Sequence, residues 1–208
     1  MKARIMEAAL HEFARYGYDS CTLQSIAKDA HVSMSLLIYH FKSKNNLWHD
    51  VIDSVFERMA AVEVKDERKF ESAPAAEKLR AMVRRMVRLF SEYPVLHRLM
   101  TLEGHQTSDR LIWMREKYIK HNSEGLCSLI FRGQQEGAVI AGDPARIRLA
   151  ITAMAGVPFS VSAEYQYLTK ASPFNPAEIE ANIKLMEDLL FIRESPSCAN
   201  AKLGGKWF

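Results

Sequence analysis

The sequence predicts an all-α protein. Apolar residues recur at three- and four-residue spacing along most of the 208-residue chain. No stretch alternates polar and apolar residues as a half-buried strand does, and no glycine-rich phosphate loop occurs. The segment from Thr22 to Lys44 also has the outline of two short helices joined by a tight turn. Hydrophobic residues make up 48% of the chain, which permits a sizeable core.

The first helix is predicted over Lys2 to Tyr16, and Gly17 is expected to close its C-terminal end. The helical spacing places five residues on its inward face: Ile5, Ala8, Ala9, Phe13 and Tyr16.

Two short helices follow. Thr22 is expected to cap the first of them, with Ser25 three positions on, and Ser33 to cap the second, over about Met34 to Phe41. Ile26, Ala27 and Ala30 give the first of these helices a small buried face. The Val32 side chain is expected to point inward between the two helices. This is the outline of a helix-turn-helix, whose second helix enters the major groove of DNA.

The remaining helices are predicted from the same periodicity. They run from about Asn46 to Val62, Ala75 to Tyr93, Pro94 to Gly104, Asp109 to Glu136, Pro144 to Leu168 with a kink at Pro158, and Pro176 to Ile192. A charged loop over Lys65 to Ala75 separates the helix at 46–62, a linker, from the rest. Residues 194–208 have the composition of a disordered tail, although Trp207 and Phe208 are candidates for docking. We therefore expect a helix-turn-helix domain at 1–45, a second helical domain at 46–193 and a tail at 194–208.

Residues Ile5 to Trp48 resemble the DNA-binding domain of the TetR family of bacterial transcriptional regulators. The resemblance is carried by the opening helix IMEAALHEFARYGYDSCT, Ile26-Ala27 with Ala30, Val32-Ser33, His40-Phe41 and Ser43-Lys44 before NNLW. It implies about nine helices and a homodimer built on the last two long helices. It also implies a small-molecule effector bound among the helices that follow the linker.

The resemblance assigns a set of DNA-binding residues by position: Thr22, Gln24, Ser33, Met34, Ser35, Leu36, Tyr39, His40, Lys42 and Lys44. Two positions depart from the family pattern. His31 stands where a glycine is usual, and Ile38 stands where a tyrosine often touches DNA. Gln24 and Ser35 can hydrogen-bond to base edges, whereas Met34 and Leu36 can pack on thymine methyl groups.

The charge of the N-terminal region bears on DNA binding. Through residue 50 there are six Lys or Arg and five Asp or Glu, a net charge of +1. DNA affinity depends on several phosphate contacts, so a dimer that doubles them is the natural solution. We expect a cytoplasmic repressor that binds a palindromic operator as a dimer and is released by a small, largely apolar effector. The competing class is a helical carrier of lipids or small molecules without DNA binding.

The effector pocket is expected among Met and aromatic residues of the second domain, because such side chains form adaptable apolar walls. The candidates are Met86, Phe90, Met100, Trp113, Tyr118, Phe131 and Met154. For each of them taken singly, a plain core role is preferred. On the fifth predicted helix, Arg80, Arg84, Arg85 and Arg88 form a basic stripe, for which a solvated face is preferred over a second nucleic-acid surface.

No enzymatic activity, cofactor or metal is expected. His97, His105 and His121, with Glu103, do not have the spacing of a known ligand set. Cys21, Cys127 and Cys198 are scattered and imply no disulfide framework. Cys21 before a helix N-terminus could have a lowered pKa and sense oxidants, but a plain small side chain is preferred. The N-terminus is amphipathic and unlike a signal peptide, and no apolar run is long enough to span a bilayer.

Overall fold

The computed structural model describes residues 1–63 and 72–192, and for residues 59–63 it describes the backbone only. Within these ranges the chain is helical, apart from loops and one isolated antiparallel bridge between Val139 and Phe191. The predicted all-α class is confirmed. The loop predicted at 65–75 falls outside the described residues over 65–71. So do the tail at 194–208, Cys198, Trp207 and Phe208.

The described residues form ten helices. They are α1 Lys2–Ser20, α2 Leu23–Asp29, α3 Met34–Phe41, α4 Lys44–Glu63, α5 Ala75–Glu92, α6 Pro94–Gly104, α7 (Asp109–Met114, a π-helical turn Arg115–Ile119, then Lys120–Gln135), α8 Pro144–Ser160, α9 Ser162–Thr169 and α10 Pro176–Leu190. We call α1–α3 the head, α4 the linker helix, and α5–α10 the body.

The end of α1 differs from the prediction. Gly17 leaves the helical path with φ 76°, a conformation that glycine adopts without steric cost, but one further turn continues to Ser20. The inward position predicted for Tyr16 is wrong, because this side chain is exposed. Tyr18, beyond the break, instead stacks on Phe13 with ring centroids 5.8 Å apart. The end of α1 thus adds an aromatic layer to the core of the head.

Three other boundaries differ from their predictions. The linker helix begins at Lys44 because the Ser43 hydroxyl already accepts the Asn46 amide at 3.1 Å. Pro158 lies inside α8 without ending it, and the chain breaks only at Val161. The last helix ends at Leu190, after which the extended backbone pairs with Ala138 and Ile140 through two hydrogen bonds of 3.0 Å.

The basic stripe of α5 faces α10. The Arg84 guanidinium donates to the Glu187 carboxylate at 2.6 and 3.2 Å, and Arg88 donates to Glu180 at 3.0 Å. The Arg80 guanidinium lies 4.0 Å from the centroid of the Phe191 ring. Three of the four arginines therefore contact α10 or Phe191 just after it, so the stripe joins two helices of the body and does not support a second nucleic-acid surface.

The head is joined to the body through α1 and α6, which pack against each other. Between them Arg110 lies 3.2 Å from Glu103 and 3.7 Å from Asp19, with its guanidinium carbon 3.8 Å from the centroid of the Tyr18 ring. Burial raises the pKa of Glu103, an effect that the charge of Arg110 opposes. This polar cluster therefore links the end of α1 to α6 and to the start of α7.

None of the helices in the described ranges is both long and apolar enough to cross a membrane.

Candidate nucleic-acid interface

The two helices of the helix-turn-helix are capped as predicted. The Thr22 hydroxyl accepts the Ser25 amide at 3.0 Å, and the Ser25 hydroxyl accepts the Thr22 amide at 3.4 Å, which forms a capping box. The Ser33 hydroxyl accepts the Leu36 amide at 3.2 Å at the start of α3. Local sequence therefore fixes where both helices begin.

The turn between α2 and α3 is held in a left-handed conformation. His31 has φ 50°, which a glycine would adopt more readily. The Val32 amide donates to the Ala27 carbonyl at 3.0 Å, and the Arg4 guanidinium donates to the His31 carbonyl at 3.2 Å. The turn is thus tied both to α2 and to α1, which sets the angle of α3 against the rest of the head.

One face of α3 is buried and the other is free. Leu37 and Phe41 are buried in the head. The opposite face, which we call the α3 stripe, is exposed and consists of Met34, Ser35, Ile38, Tyr39 and Lys42. Tyr39 stands out most, with 70% of its surface exposed. The stripe has the i, i+4 spacing of a single helix face, and nothing within the described chain covers it.

The predicted DNA-binding residues occur together on this side of the head. Seven of the ten are exposed, namely Thr22, Gln24, Ser33, Met34, Ser35, Tyr39 and Lys42, and Leu36, His40 and Lys44 are half-buried. Ile38, which the sequence analysis noted as a departure from the family pattern and left out of this set, lies in the middle of the α3 stripe. That these residues contact DNA stays a prediction.

Lys44 has a partner inside the head. Its ammonium donates to the Cys21 carbonyl at 2.6 Å and to the Asp19 carbonyl at 3.4 Å, and lies 4.3 Å from the centroid of the Tyr18 ring. Lys42 is exposed, and its ammonium donates only locally, to the Tyr39 carbonyl at 2.9 Å. Lys42 is therefore better placed than Lys44 to reach a phosphate.

Cys21 is buried at the junction of α1 and α2. Burial raises the pKa of its thiol, so the thiolate that reacts with oxidants is disfavoured. The alternative of a lowered pKa at this helix start is wrong.

The residues predicted to line an effector pocket lie in different places. Phe90 is buried in the body and meets the His97 ring edge-on at 5.2 Å, whereas Met86, Met100 and Met154 are half-buried. Trp113 and Tyr118 pack on the linker helix instead. Phe131 is 54% exposed, because its position on α7 faces away from the body core, so its placement in an internal pocket is wrong for this subunit.

The histidines and Glu103 do not form a cluster. His97 is buried, and its Nδ1 lies 3.0 Å from the Ser160 hydroxyl; burial lowers the pKa of this histidine. His105 and His121 are exposed. Across residues 1–58 and 72–192, no three His, Cys, Asp or Glu side chains are grouped so as to hold a metal ion.

Comparisons with known proteins agree with this geometry. The family model described as "Bacterial regulatory proteins, tetR family" matches residues 5–51, which include the head and the start of the linker helix. The chain is also 30% identical over 69 residues to the biofilm operon icaADBC HTH-type negative transcriptional regulator IcaR of Staphylococcus aureus. That match covers 33% of this chain, and the chain spans only 37% of the length of the relative.

Solved structures resemble nearly the whole chain in fold. The hemolysin II transcriptional regulator HlyIIR superposes with a TM-score of 0.68 at 21% identity, over 90% of this chain and 97% of that one. AibR, in a structure with isovaleryl coenzyme A and operator DNA, gives a TM-score of 0.69 at 18% identity, over 91% of this chain and 97% of that one. The match to the tetR family model is thus confined to residues 5–51, and the likeness over the rest of the chain is one of fold.

Proposed function

We propose that the protein is a DNA-binding transcriptional regulator, a repressor that binds a palindromic operator as a homodimer in the bacterial cytoplasm and is released by a small apolar effector. The observation that carries the proposal is the uncovered α3 stripe, set on a helix whose start, turn and buried face are all fixed by the head. A helix presented in this way fits the major groove. The relative IcaR is a negative regulator by name, which supports the repressor reading.

The chemistry of the stripe suits recognition by neutral side chains. Ser35 and, from the start of α2, Gln24 offer hydrogen-bonding groups to base edges, and Met34 and Ile38 offer apolar contacts for thymine methyl groups. The hydroxyl oxygens of the two capping residues already accept backbone amides, yet each hydroxyl keeps its proton as a donor for a phosphate oxygen. Exposure on one side of the head supports these assignments.

The dimer is proposed to form through α8 and α10, because each has two apolar faces. The inward faces are buried in the subunit's own core through Ile151 and Phe159 on α8 and Ile183 and Met186 on α10. The outward faces carry apolar residues at every fourth position, and all of them are exposed: Leu149, Ala153, Val157 and Val161, with Ala181, Leu185 and Leu189. A second copy would bury these stripes in a four-helix bundle.

This arrangement favours a dimer over helices that merely close one core. Leu149 is 62% exposed and Leu185 57% exposed, although both lie on helices that are otherwise well packed.

Two heads must present their α3 helices about one turn of DNA apart, roughly 34–36 Å, to reach successive major grooves.

The effector is proposed to be an apolar molecule that binds in the body among α5, α6 and α8. Half-buried methionines there, Met86 and Met154, can repack around different ligands. AibR was solved with an acyl coenzyme A, so isovaleryl coenzyme A is a suitable first probe. An effector that lowers DNA affinity by some factor must itself bind the DNA complex more weakly by the same factor.

The test of DNA binding is selection of duplexes from a random pool, followed by affinity measurements at several salt concentrations. The variant Tyr39→Ala/His40→Ala is expected to weaken binding of the selected duplex by at least about tenfold, the loss of one or two good contacts. The control, Tyr16→Ala/His11→Ala, removes the same residue types from the exposed face of α1 and should bind like the wild type. Absence of any salt-dependent DNA binding in the wild type would favour the carrier alternative.

A further inference from the structure

Helix α7 contains a π-helical turn at the point where it meets the linker helix. The Lys120 amide donates to the Arg115 carbonyl five residues earlier, across the segment Arg115–Ile119. Such a turn accommodates one residue more than a regular helix does, its hydrogen bonds have poorer geometry, and it is frequent at functional sites.

Two aromatic residues, Trp113 just before the turn and Tyr118 within it, both rest on the linker helix. Trp113 stacks on His49 with ring centroids 4.3 Å apart, and Tyr118 stacks on Phe56 with centroids 4.1 Å apart. The Tyr118 hydroxyl also donates to the Asp53 carboxylate, and the Lys117 ammonium contacts the same carboxylate at 2.8 and 2.9 Å. These contacts hold residues 49–56 of the linker helix against α7.

The two aromatic contacts coexist because of the extra residue. Trp113 and Tyr118 are five positions apart, and in a regular α-helix of 3.6 residues per turn they would point about 140° apart. The i+5 hydrogen bonding of the π turn brings them to the same side. If the turn changed to α-helical geometry, one of the two side chains would leave the linker helix.

We propose that this π turn is the element that couples the body to the head. The π form holds the linker helix at both aromatic contacts. Conversion of the turn to α-helical geometry releases one of these contacts and lets the linker helix move. The inference rests on the proposed function, since it describes how DNA binding is regulated. The linker helix is continuous with the head, so movement at His49 to Phe56 changes the position of α3 relative to its symmetry partner. A ligand in the body that favours one form of the turn therefore shifts DNA affinity.

A single-residue deletion tests the first half of the proposal. Glu116 is exposed within the turn, and its side chain contacts the neighbouring Arg115. Its deletion leaves Trp113 and Tyr118 four positions apart, about 40° on a regular α-helix, so both contacts survive without the π turn. The control deletes Glu124, an exposed residue in the regular part of α7. The Glu116 deletion is expected to melt within a few degrees of the wild type, and the Glu124 deletion far below it, because it rotates one half of α7 against the body.

Hydrogen exchange tests the coupling itself. With the alternative form of the turn removed, amides of residues 44–58 in the Glu116 deletion should exchange at least about threefold more slowly than in the wild type. In the wild type, addition of the selected DNA duplex should change exchange at residues 115–119. Equal destabilisation by the two deletions, or unchanged exchange in the linker helix, would overturn the proposal. If the wild type bound no DNA, the proposed function would fail, whereas the comparison of the deletions would still decide whether the turn controls the linker helix.

Discussion

The cluster between head and body predicts that Arg110→Met destabilises the protein far more than loss of a surface ion pair would. Glu103 is 4% exposed and Arg110 15% exposed, so the substitution leaves a buried carboxylate without its cation. Breaking a buried pair in this way costs about 3–5 kcal/mol, and loss of the cation over Tyr18 adds up to about 1 kcal/mol. Because the Arg110 guanidinium keeps some solvent contact, we expect a loss of stability at the low end of this range, roughly 3 kcal/mol. Asp19 is 73% exposed and contributes little to this total.

The loss should depend on pH. The pKa of Glu103 is raised by burial and would rise further without the guanidinium beside it. A carboxyl whose pKa is raised on folding adds stability that is fully present below its unfolded pKa and is lost as the pH rises through its folded pKa. The difference between Arg110→Met and wild type should therefore grow from about pH 5 towards neutrality.

Urea unfolding at fixed protein concentration measures both effects, and Glu103→Gln/Arg110→Met completes the comparison. Removing the carboxylate charge as well should restore most of the stability, because the remaining amide costs less to bury than an unpaired charge. A loss below about 1 kcal/mol in Arg110→Met at neutral pH, or a double variant less stable than Arg110→Met, would show that the pair contributes no more than a surface contact.

Three further predictions concern single sites. Gly156→Ala should destabilise the body by several kcal/mol in thermal or urea unfolding, because its new Cβ would lie 2.0 Å from Cδ2 of the buried His97 ring. The control is Gly125→Ala in α7, which has open space around it and should be neutral or stabilising by up to about 1 kcal/mol. Burial lowers the pKa of His97 in the folded protein. The stability that this histidine contributes is complete above its unfolded pKa and is lost as the pH falls through its folded pKa. His97→Gln should therefore flatten the fall in unfolding free energy that is measured from about pH 7 to pH 5. Ser33→Ala should cost about 1 kcal/mol in the same assay by removing the cap of α3, and Ser35→Ala, on the exposed stripe, should change stability little; equal effects of the two serine changes would count against the cap.

Sequence reasoning predicted the local structure of the candidate site well, because the signals for that structure are local. Thr22 and Ser33 are capping residues at the positions where both short helices begin, and Leu37 and Phe41 differ from Tyr39 in polarity as well as in burial. Position 31, where a glycine is usual in the family that this segment resembles, has the left-handed conformation that such a glycine suits. In such segments, the side chain that determines the backbone conformation lies within four residues of the position that it determines.

Sequence reasoning was weaker where a residue's partner is distant along the chain. Trp113 and Tyr118 have the same apolar helical pattern whether they pack on the linker helix or line a ligand pocket. Nothing nearby in the sequence shows that they pack on the linker helix. The π turn that aligns them has no signature in the spacing of apolar residues. Phe131 shows the same limit, since its aromatic side chain made it a pocket candidate while the fold turns it to the surface.

The use of Lys44 inside the head limits how DNA can be held. Two more of the six cations before residue 51 also have partners within the subunit, since Lys2 lies 3.0 Å from Asp50 of the linker helix and Arg4 donates to the His31 carbonyl. On the proposed function, each subunit would displace few counterions from the duplex, so its affinity should fall only gently as ionic strength rises. Discrimination between sequences would then come chiefly from uncharged groups, which keep their preference for one base over another in concentrated salt.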